Sequence, residues 1–144
     1  MKKISDNKEI REILKQAKII AMIGCSPNEY RTSNYAAKYL SKKGYRVIPV
    51  NPEADAIYGE RSYNSLTDIP DDVNIDIVNV FRNSRYSADA VSEVVDWKDM
   101  TGQNPVVWTQ LDVSSPEAEK IADEHDIPYI RNRCIMVEWD RNFK

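Results

Sequence analysis

Short apolar runs alternate with segments of helical periodicity, and this alternation constrains the fold more than any other feature of the chain. Each run has the length and composition of a strand that is buried on both faces. The runs lie at residues 18–24, 45–52, 75–81, 105–110 and 127–130. Strands that alternate with helices in this way form a parallel sheet, because a helical crossover returns the chain to the same end of the sheet.

Helix signals lie before the first run and between the later ones. Asp6 and Glu9 have the spacing of a capping box, and Ser115 can cap a helix that begins with proline. Right-handed crossovers place such helices on both faces of the sheet. The sequence therefore predicts an α/β fold with a doubly wound parallel sheet of about five strands in three α/β/α layers. The predicted helices cover residues 7–17, 32–44, 84–97 and a segment that starts at Pro116.

Two segments carry weaker patterns. Residues 59–70 have room for a very short strand near Arg61–Tyr63, followed by a turn. The tail after residue 130 contains the apolar cluster "CIMVEW", which fits either a short helix docked on the sheet or a contact in a homodimer. Both interpretations stay open on the sequence alone.

Length and composition indicate one domain and exclude some kinds of partner. A chain of 144 residues supports a single core, so one domain over 1–144 is expected. The net charge is -3 and no basic stripe stands out, which argues against a nucleic-acid partner. No apolar run approaches the roughly 20 residues of a membrane span, and the N-terminus has no apolar signal core, so a cytoplasmic protein is expected.

Metal chemistry is not predicted either. The two cysteines, Cys25 and Cys134, lie far apart in the sequence and are expected to be reduced in the cytoplasm. A lone histidine, His125, cannot build a metal site by itself, and no cysteine or histidine cluster has the spacing of metal ligands.

The loop after the first strand has features of a phosphate-binding turn. In doubly wound folds, ligands bind beyond the carboxyl ends of the strands, where the strand order reverses. Gly24 allows a tight turn, and the helix that follows points free amides and its positive dipole end at this rim. Ser26 adds a hydroxyl and Arg31 adds a forked cation. The same residues also fit a plain strand-to-helix turn with a solvated arginine.

The dinucleotide fingerprint is incomplete in this loop. The pattern G-x-G-x-x-G needs three glycines, and only Gly24 is present. The acidic residue that holds a ribose 2′-hydroxyl at the end of the second strand is missing as well, because that strand ends at Asn51. Both absences argue against an NAD(P)-binding protein, which stays an alternative.

Six segments come in a characteristic order: IGCSPNEYRTS, GYRVIPVNP, IYGERSYNSLTDIP, IDIVNVF, VVWTQL and RNRC. In this order they resemble the small stand-alone CoA-binding proteins, which are similar to the N-terminal domain of the succinyl-CoA synthetase α subunit. The resemblance runs from about Lys18 to about Glu138. It implies a Rossmann-like fold that holds coenzyme A or an acyl-CoA through its ADP portion.

The resemblance also implies roles for individual residues. Positions that match the family suggest phosphate contacts from Gly24, Ser26 and Arg31. CoA carries a pyrophosphate and a ribose 3′-phosphate, so it needs cations and free amides rather than an acidic clamp on the ribose.

The remaining predicted contacts lie on neighbouring strand ends. Asn51 with Pro52 would approach the ribose or the adenine, and Phe81 with Arg82 would close the adenine side. Cys25, Thr32 and Gln110 belong to the same rim. The predicted cofactor-binding residues are Gly24, Cys25, Ser26, Arg31, Thr32, Asn51, Pro52, Phe81, Arg82 and Gln110.

No catalytic residue is predicted, although two side chains are candidates. Cys25 stands beside a helix N-terminus, which can lower the pKa of a thiol, but a small buried thiol fits the position equally. Succinyl-CoA synthetase uses a phosphohistidine, whereas His125 is expected to end a helix. The leading function is therefore non-catalytic CoA binding. The alternatives are a CoA-binding component of an acyl-CoA ligase that acts with a separate chain, and a structural module with a vestigial pocket.

Overall fold

The structure, a computed structural model, describes residues 2–144. One parallel sheet of six strands forms its centre, and a separate two-stranded hairpin joins residues 56–61. In chain order the strands are β1 (Lys2–Lys3), β2 (Ile19–Ile23), β3 (Arg46–Val50), β4 (Ala56–Ile57), β5 (Glu60–Arg61), β6 (Ile77–Val80), β7 (Val106–Thr109) and β8 (Pro128–Ile130). The order across the large sheet is β1-β8-β7-β6-β2-β3.

The predicted parallel sheet is confirmed, and the structure adds one strand to it. The five predicted runs correspond to β2, β3, β6, β7 and β8. The sixth strand is β1, which pairs in parallel with Pro128 and Tyr129 of β8. Its two residues are exposed lysines, so no apolar pattern in the sequence marks it as a strand.

Five helices cover both faces of the sheet, as the doubly wound prediction requires. They are α1 (Asn7–Gln16), α2 (Thr32–Lys42), α3 (Ser87–Thr101), α4 (Pro116–Glu124) and α5 (Ile135–Phe143). The apolar faces of α1, α2 and α5 pack on one side of the sheet, around residues such as Leu14, Leu40 and Ile135. The apolar faces of α3 and α4 pack on the other side, around Val91 and Ala118.

The predicted cap of α1 is half confirmed. The Asp6 carboxylate accepts a hydrogen bond from the Lys8 amide at 3.0 Å, which satisfies one of the free donors of the first turn. Glu9 does not complete the capping box, because its carboxylate instead lies 2.5 Å from the ammonium of Lys2. The start of α1 is thereby tied to the edge strand β1.

The caps of α3 and α4 explain their observed lengths. Ser115 accepts from the amide of Ala118 at 3.1 Å, as its position before a proline predicts. Helix α3 continues four residues beyond its predicted end at 97 and stops at Gly102, whose φ of 76° suits a left-handed C-cap.

The two ambiguous segments are resolved. The short strand expected near Arg61–Tyr63 lies one residue earlier, as β5, and it pairs antiparallel with β4. The tail forms α5, which packs against α1 and α2, so the docked-helix interpretation is confirmed. Among residues 2–144, none of the helices combines the length and the apolar character that crossing a membrane requires.

The strand order places a crevice between β2 and β6. Strand β2 has β3 on one side and β6 on the other, so the chain leaves β2 in one direction and later returns on its far side. Connections that diverge in this way leave a gap beyond the carboxyl ends of the two strands. Gly24 follows β2 and Phe81 follows β6, so both residues lie at this gap.

Candidate functional site

A cleft of about 410 Å³ opens at the carboxyl ends of β2 and β6. Six of the ten predicted site residues line it, and so do Ser33 and Glu53, which the sequence analysis did not include. Cys25, Pro52, Arg82 and Gln110 do not line it. The lining residues are Gly24, Ser26, Arg31, Thr32, Ser33, Asn51, Glu53 and Phe81.

Gly24 brings the ends of three strands close together. Its amide donates to the carbonyl of Val50 at 3.0 Å, and the amide of Phe81 donates to the carbonyl of Ile23 at 2.8 Å. Its φ is 86°, and a Cβ atom at this position would lie 2.2 Å from the carbonyl oxygen of Phe81. Only glycine fits this backbone without displacing the end of β6.

Three side chains, two from α2 and one from the end of β3, hold the loop that follows Gly24. The amide of Ser26 donates to the hydroxyl of Ser33 at 2.9 Å, and the side-chain amide of Asn34 donates to the carbonyl of Ser26 at 2.9 Å. From the end of β3, the side-chain amide of Asn51 donates to the carbonyl of Cys25 at 2.9 Å. The loop is therefore fixed before any ligand arrives.

Ser33 and Asn34 are buried polar residues on α2, with exposed fractions of 6% and 4%. Each lies three residues before a buried alanine, Ala36 or Ala37, and therefore on the same inward face of the helix. A polar pair in phase with a buried face is the signal that could have marked them as loop-holding residues.

The Ser26 hydroxyl accepts a hydrogen bond from the Asn28 amide at 3.1 Å. This hydrogen bond forms a local turn, which is the alternative role expected for Ser26. The hydroxyl still faces the cleft, and its own hydrogen remains available to an acceptor because a hydroxyl can accept and donate together.

The first turn of α2 is open toward the cleft. Arg31 occupies the N-cap position, and no side chain caps the helix there. The side chain of Arg31 is exposed and makes no ion pair with another residue of the described chain. Free amides, the positive end of the helix dipole and an unpaired guanidinium therefore act at one side of the cleft, and together they favour an anion.

Asn51 uses its whole side chain within the protein. Its Nδ2 holds the carbonyl of Cys25, and its Oδ1 accepts from the amide of Glu53 at 2.9 Å. Its backbone carbonyl also accepts from the hydroxyl of Ser62 at 2.9 Å. The residue thus shapes the cleft by fixing the loop after β2 relative to the loop after β3.

Glu53 places a carboxylate at the mouth of the cleft, two residues beyond the Asn51 that ends the strand pattern. The end of β3 carries Asn51, so the acidic residue of a dinucleotide site is absent at that position, as predicted. Glu53 nevertheless brings a carboxylate to the cleft from the exposed turn that follows.

Phe81 and Arg82 both come close to Gly24. Phe81 is partly exposed and lines the cleft, whereas the Arg82 side chain passes close to Gly24, its Cγ 3.1 Å from where a Cβ would stand. Arg82 also lies near Glu93. Burial raises the pKa of Glu93, and the Leu66 amide and the charge of Arg82 partly oppose this rise.

Cys25 is fully buried in the core beside α2. Burial raises the pKa of its thiol to about 12, so the suggested lowering of this pKa by the helix N-terminus is wrong. Its backbone carbonyl, not its thiol, is the part that takes part in the loop, as the acceptor for Asn51.

Gln110 points into the protein. Its Oε1 accepts from the Asn79 side chain at 3.1 Å and from the backbone amide of Ile135, also at 3.1 Å. The side chain thus attaches the first residue of α5 to the sheet. Pro52 is exposed on the loop after β3, outside the residues that line the cleft.

Comparison with known proteins groups this chain with others of similar sequence and fold. A family model described as "CoA binding domain" matches residues 18–140. An uncharacterized Bacillus subtilis protein, YneT, is 37% identical over 129 residues, which cover 90% of each chain. A hypothetical protein from Pyrococcus horikoshii, whose structure is solved, is 36% identical with a TM-score of 0.88, covering 97% of this chain and 94% of that one.

One curated relative has a named activity. An ADP-forming acetate–CoA ligase of Methanocaldococcus jannaschii is 32% identical over 63 residues. This match covers 44% of the present chain but 9% of the ligase, so it compares one part of a much longer enzyme.

Proposed function

The chain belongs to the CoA-binding domain family, and we propose that it binds coenzyme A or an acyl-CoA through the ADP portion, in the cleft between β2 and β6, without catalysing a reaction by itself. The observation that carries this proposal is the uncapped start of α2, which faces the cleft beside an unpaired Arg31. Phosphate is the part of CoA that such a site stabilises best.

The proposed phosphate contacts come from residues at one side of the cleft. The first-turn amides of α2, with Thr32 at the first position, face a bound phosphate, and the Ser26 hydroxyl donates to it. The guanidinium of Arg31 contributes a charge-assisted hydrogen bond. Gly24 supplies no polar side chain; its missing Cβ admits the Phe81 carbonyl and so brings the end of β6 close to the loop that lines the cleft.

The ribose and the adenine occupy the remaining walls in this proposal. Phe81 supplies an aromatic surface for the adenine, and Pro52 and Arg82 close the region beyond it. Asn51 acts indirectly, because its side chain is already bonded to the loops on both sides.

The absence of catalysis is part of the proposal. His125 is the exposed C-cap of α4, at the edge of the sheet opposite to the cleft. Cys25 is buried, and burial raises the pKa of its thiol. No group of three or more His, Cys, Asp or Glu side chains within residues 2–144 is arranged to hold a metal ion. Neither Cys25 nor His125 is therefore proposed as part of the nucleophile–base pair that acyl transfer needs.

Calorimetry with four ligands tests the proposal. CoA should bind more tightly than dephospho-CoA, and both should bind more tightly than NAD or NADP. Tighter binding of NAD would instead favour a dinucleotide site, to which Glu53 would contribute a ribose contact. Native mass spectrometry of the purified protein provides a second test, since a co-purifying ligand should have the mass of CoA or an acyl-CoA. Steady acyl-CoA turnover by the protein alone would contradict the non-catalytic part.

A ligase component is the second candidate, favoured by the match to part of the acetate–CoA ligase. Under this candidate the domain supplies the CoA site and a separate chain supplies ATP chemistry. CoA-dependent ATP hydrolysis should then occur only when the two chains are mixed. Binding of CoA with no hydrolysis in any mixture would leave the simple binding function.

A further inference from the structure

Tyr58 stands in a turn where its residue type is unfavourable. Strands β4 and β5 pair Ile57 with Glu60, so Tyr58 and Gly59 alone form the turn between them. Both have positive φ, 49° and 82°, as in a type I′ turn. Asparagine followed by glycine is favoured in such a turn, and a bulky residue with positive φ is rare because its Cβ is crowded. The side chain is 50% exposed, so burial offers little compensation.

The hydroxyl of Tyr58 donates to Oδ1 of Asn34, 24 residues earlier in the chain. Asn34 is 4% exposed, and its Nδ2 donates to the carbonyl of Ser26. The two ends of one buried carboxamide therefore connect the hairpin to the loop that lines the cleft. Without the tyrosine hydroxyl, Oδ1 of Asn34 would lose its partner, which is costly at a buried position.

A hollow of about 190 Å³ lies between the hairpin and this loop, and both Tyr58 and Asn34 line it. The hydrogen bond between these two side chains therefore joins the hairpin side of the hollow to the α2 side. The residues around the hollow are Pro27, Glu29, Asn34, Ala56, Ile57 and Tyr58.

We infer that Tyr58 is a positioning residue for the anion-binding loop: it fixes the carboxamide of Asn34, which in turn fixes Ser26 at the cleft. This inference rests on the proposed function for its effect on CoA binding. Its effect on the loop itself does not, because the hydrogen bonds are present without a ligand.

Hydrogen exchange of the ligand-free protein tests the effect on the loop. Tyr58→Phe should speed exchange of the backbone amides in residues 25–31, while exchange in the central strands β2 and β6 stays unchanged. Tyr35→Phe is the matched control, since it removes a hydroxyl from an exposed tyrosine of α2 that makes no hydrogen bond within residues 2–144. Loop exchange equal to that of the wild type would overturn the inference.

A double-mutant cycle tests the effect on binding. Tyr58→Phe should weaken CoA binding about fivefold, the size of one ordinary hydrogen bond. In an Asn34→Ala background the same change should alter the dissociation constant less than about 1.5-fold, because the connection is already broken. Equal effects in both backgrounds would overturn the inference. Wild-type protein that binds no CoA would instead refute the proposed function, and the exchange experiment would still decide the role of Tyr58.

Discussion

The loop after β2 and the segment after β8 leave equivalent ends of parallel strands, and each carries an arginine. Arg31 has no ion pair among the described residues and borders an open cleft. Arg133 lies 3.1 Å from the carboxylate of Glu138, and its other nitrogen donates to the carbonyl of Ser5 at 3.0 Å. The first arginine is available to a ligand, whereas the second connects α5 to the start of the chain.

The difference between these regions comes from what covers each strand end. Helix α5 begins at Ile135, a short segment after β8 ends at Ile130, and its buried Glu138, 4% exposed, requires cationic partners. No comparable carboxylate is buried near the start of α2, where the polar side chains bond to backbone groups instead. A charged residue at the carboxyl end of a strand is thus left available to a ligand only where no buried group of opposite charge pairs with it.

The largest effect is expected at Gly24, where the shape of the cleft depends on close contact between two backbone segments. Gly24→Ala should lower the free energy of unfolding by about 2–5 kcal/mol, because positive φ and a clash with the Phe81 carbonyl add together. It should also abolish measurable CoA binding. Gly44→Ala is the control: its φ is 100° but its surroundings are empty, so a loss of about 1–2 kcal/mol is expected in chemical denaturation. Equal losses in the two variants would contradict the role of the close contact.

Arg31→Ala should separate binding from stability. The lost charge-assisted hydrogen bond should weaken CoA binding about tenfold or more by calorimetry. The melting temperature of the ligand-free protein should not change, since the guanidinium of Arg31 has no partner within the described chain. Binding by the wild type should also fall more steeply with salt than binding by the variant. Lys38→Ala removes an equal charge from the exposed side of the same helix and should leave the affinity unchanged.

Arg133→Ala should give the opposite pattern. The free energy of unfolding should fall by about 1–2 kcal/mol, because Glu138 stays buried with Arg141 as its one remaining partner. The affinity for CoA should stay within about twofold of the wild type. A clear loss of CoA affinity with unchanged stability would show that the region after β8 belongs to the site, and the comparison with Arg31 would fail.

The two cysteines of these regions should differ in the opposite sense to the two arginines, because Cys25 after β2 is buried and Cys134 after β8 is partly exposed. Cys25 is buried and its pKa is raised to about 12 from an ordinary value of 9.0, so the unfolded chain loses this proton first as the pH rises. Its contribution to stability is complete below about pH 9 and is lost from there toward pH 12, at about 1.4 kcal/mol per pH unit. Cys25→Ser should remove this part of the alkaline decline in urea titrations.

Reaction with a chromogenic disulfide gives an independent measurement of the same difference. In the native protein at pH 8 we expect one reactive thiol, from the partly exposed Cys134, and two after unfolding in denaturant. Two fast thiols in the native protein would show that the core beneath the cleft opens readily.

The smallest effect is expected at Glu53. Its exposed carboxylate borders the cleft and should repel the phosphates of CoA weakly, so Glu53→Gln should tighten CoA binding about two- to threefold. Asp55→Asn, which changes a nearby exposed charge outside the lining, should have less effect. Weaker binding by Glu53→Gln would mean that the carboxylate accepts a hydrogen bond from the ligand.

The fold could be predicted because its main elements carry their own signals. Buried strands such as β2 and β6 are continuous apolar runs, and Ser115 with Pro116 marks the start of a helix. Strand β1 could not be predicted, since its two lysines are held by pairing with β8 and not by burial. The tail helix became unambiguous only through its packing against α1 and α2.

The candidate site could be placed from the sequence but not resolved in detail. Gly24 and Arg31 were identifiable from the position of the loop relative to β2 and α2. The direction in which a side chain points was not, because Gln110 and Ser26 follow strands in the same way but face the interior and the cleft respectively. Ser33 and Asn34 were missed because their role depends on hydrogen bonds to the Ser26 backbone, which comes within reach of their side chains only after folding.

The two margins of the sheet have a consequence for self-association. At one margin, β3 contains Pro49, whose nitrogen has no hydrogen to donate; its carbonyl already accepts from Tyr63, which also bridges to Val50. At the other margin, β1 offers two residues with charged side chains. Neither margin presents the long row of unpaired donors and acceptors that templates amyloid-like stacking. The protein should therefore resist polymerising through its sheet even when concentrated.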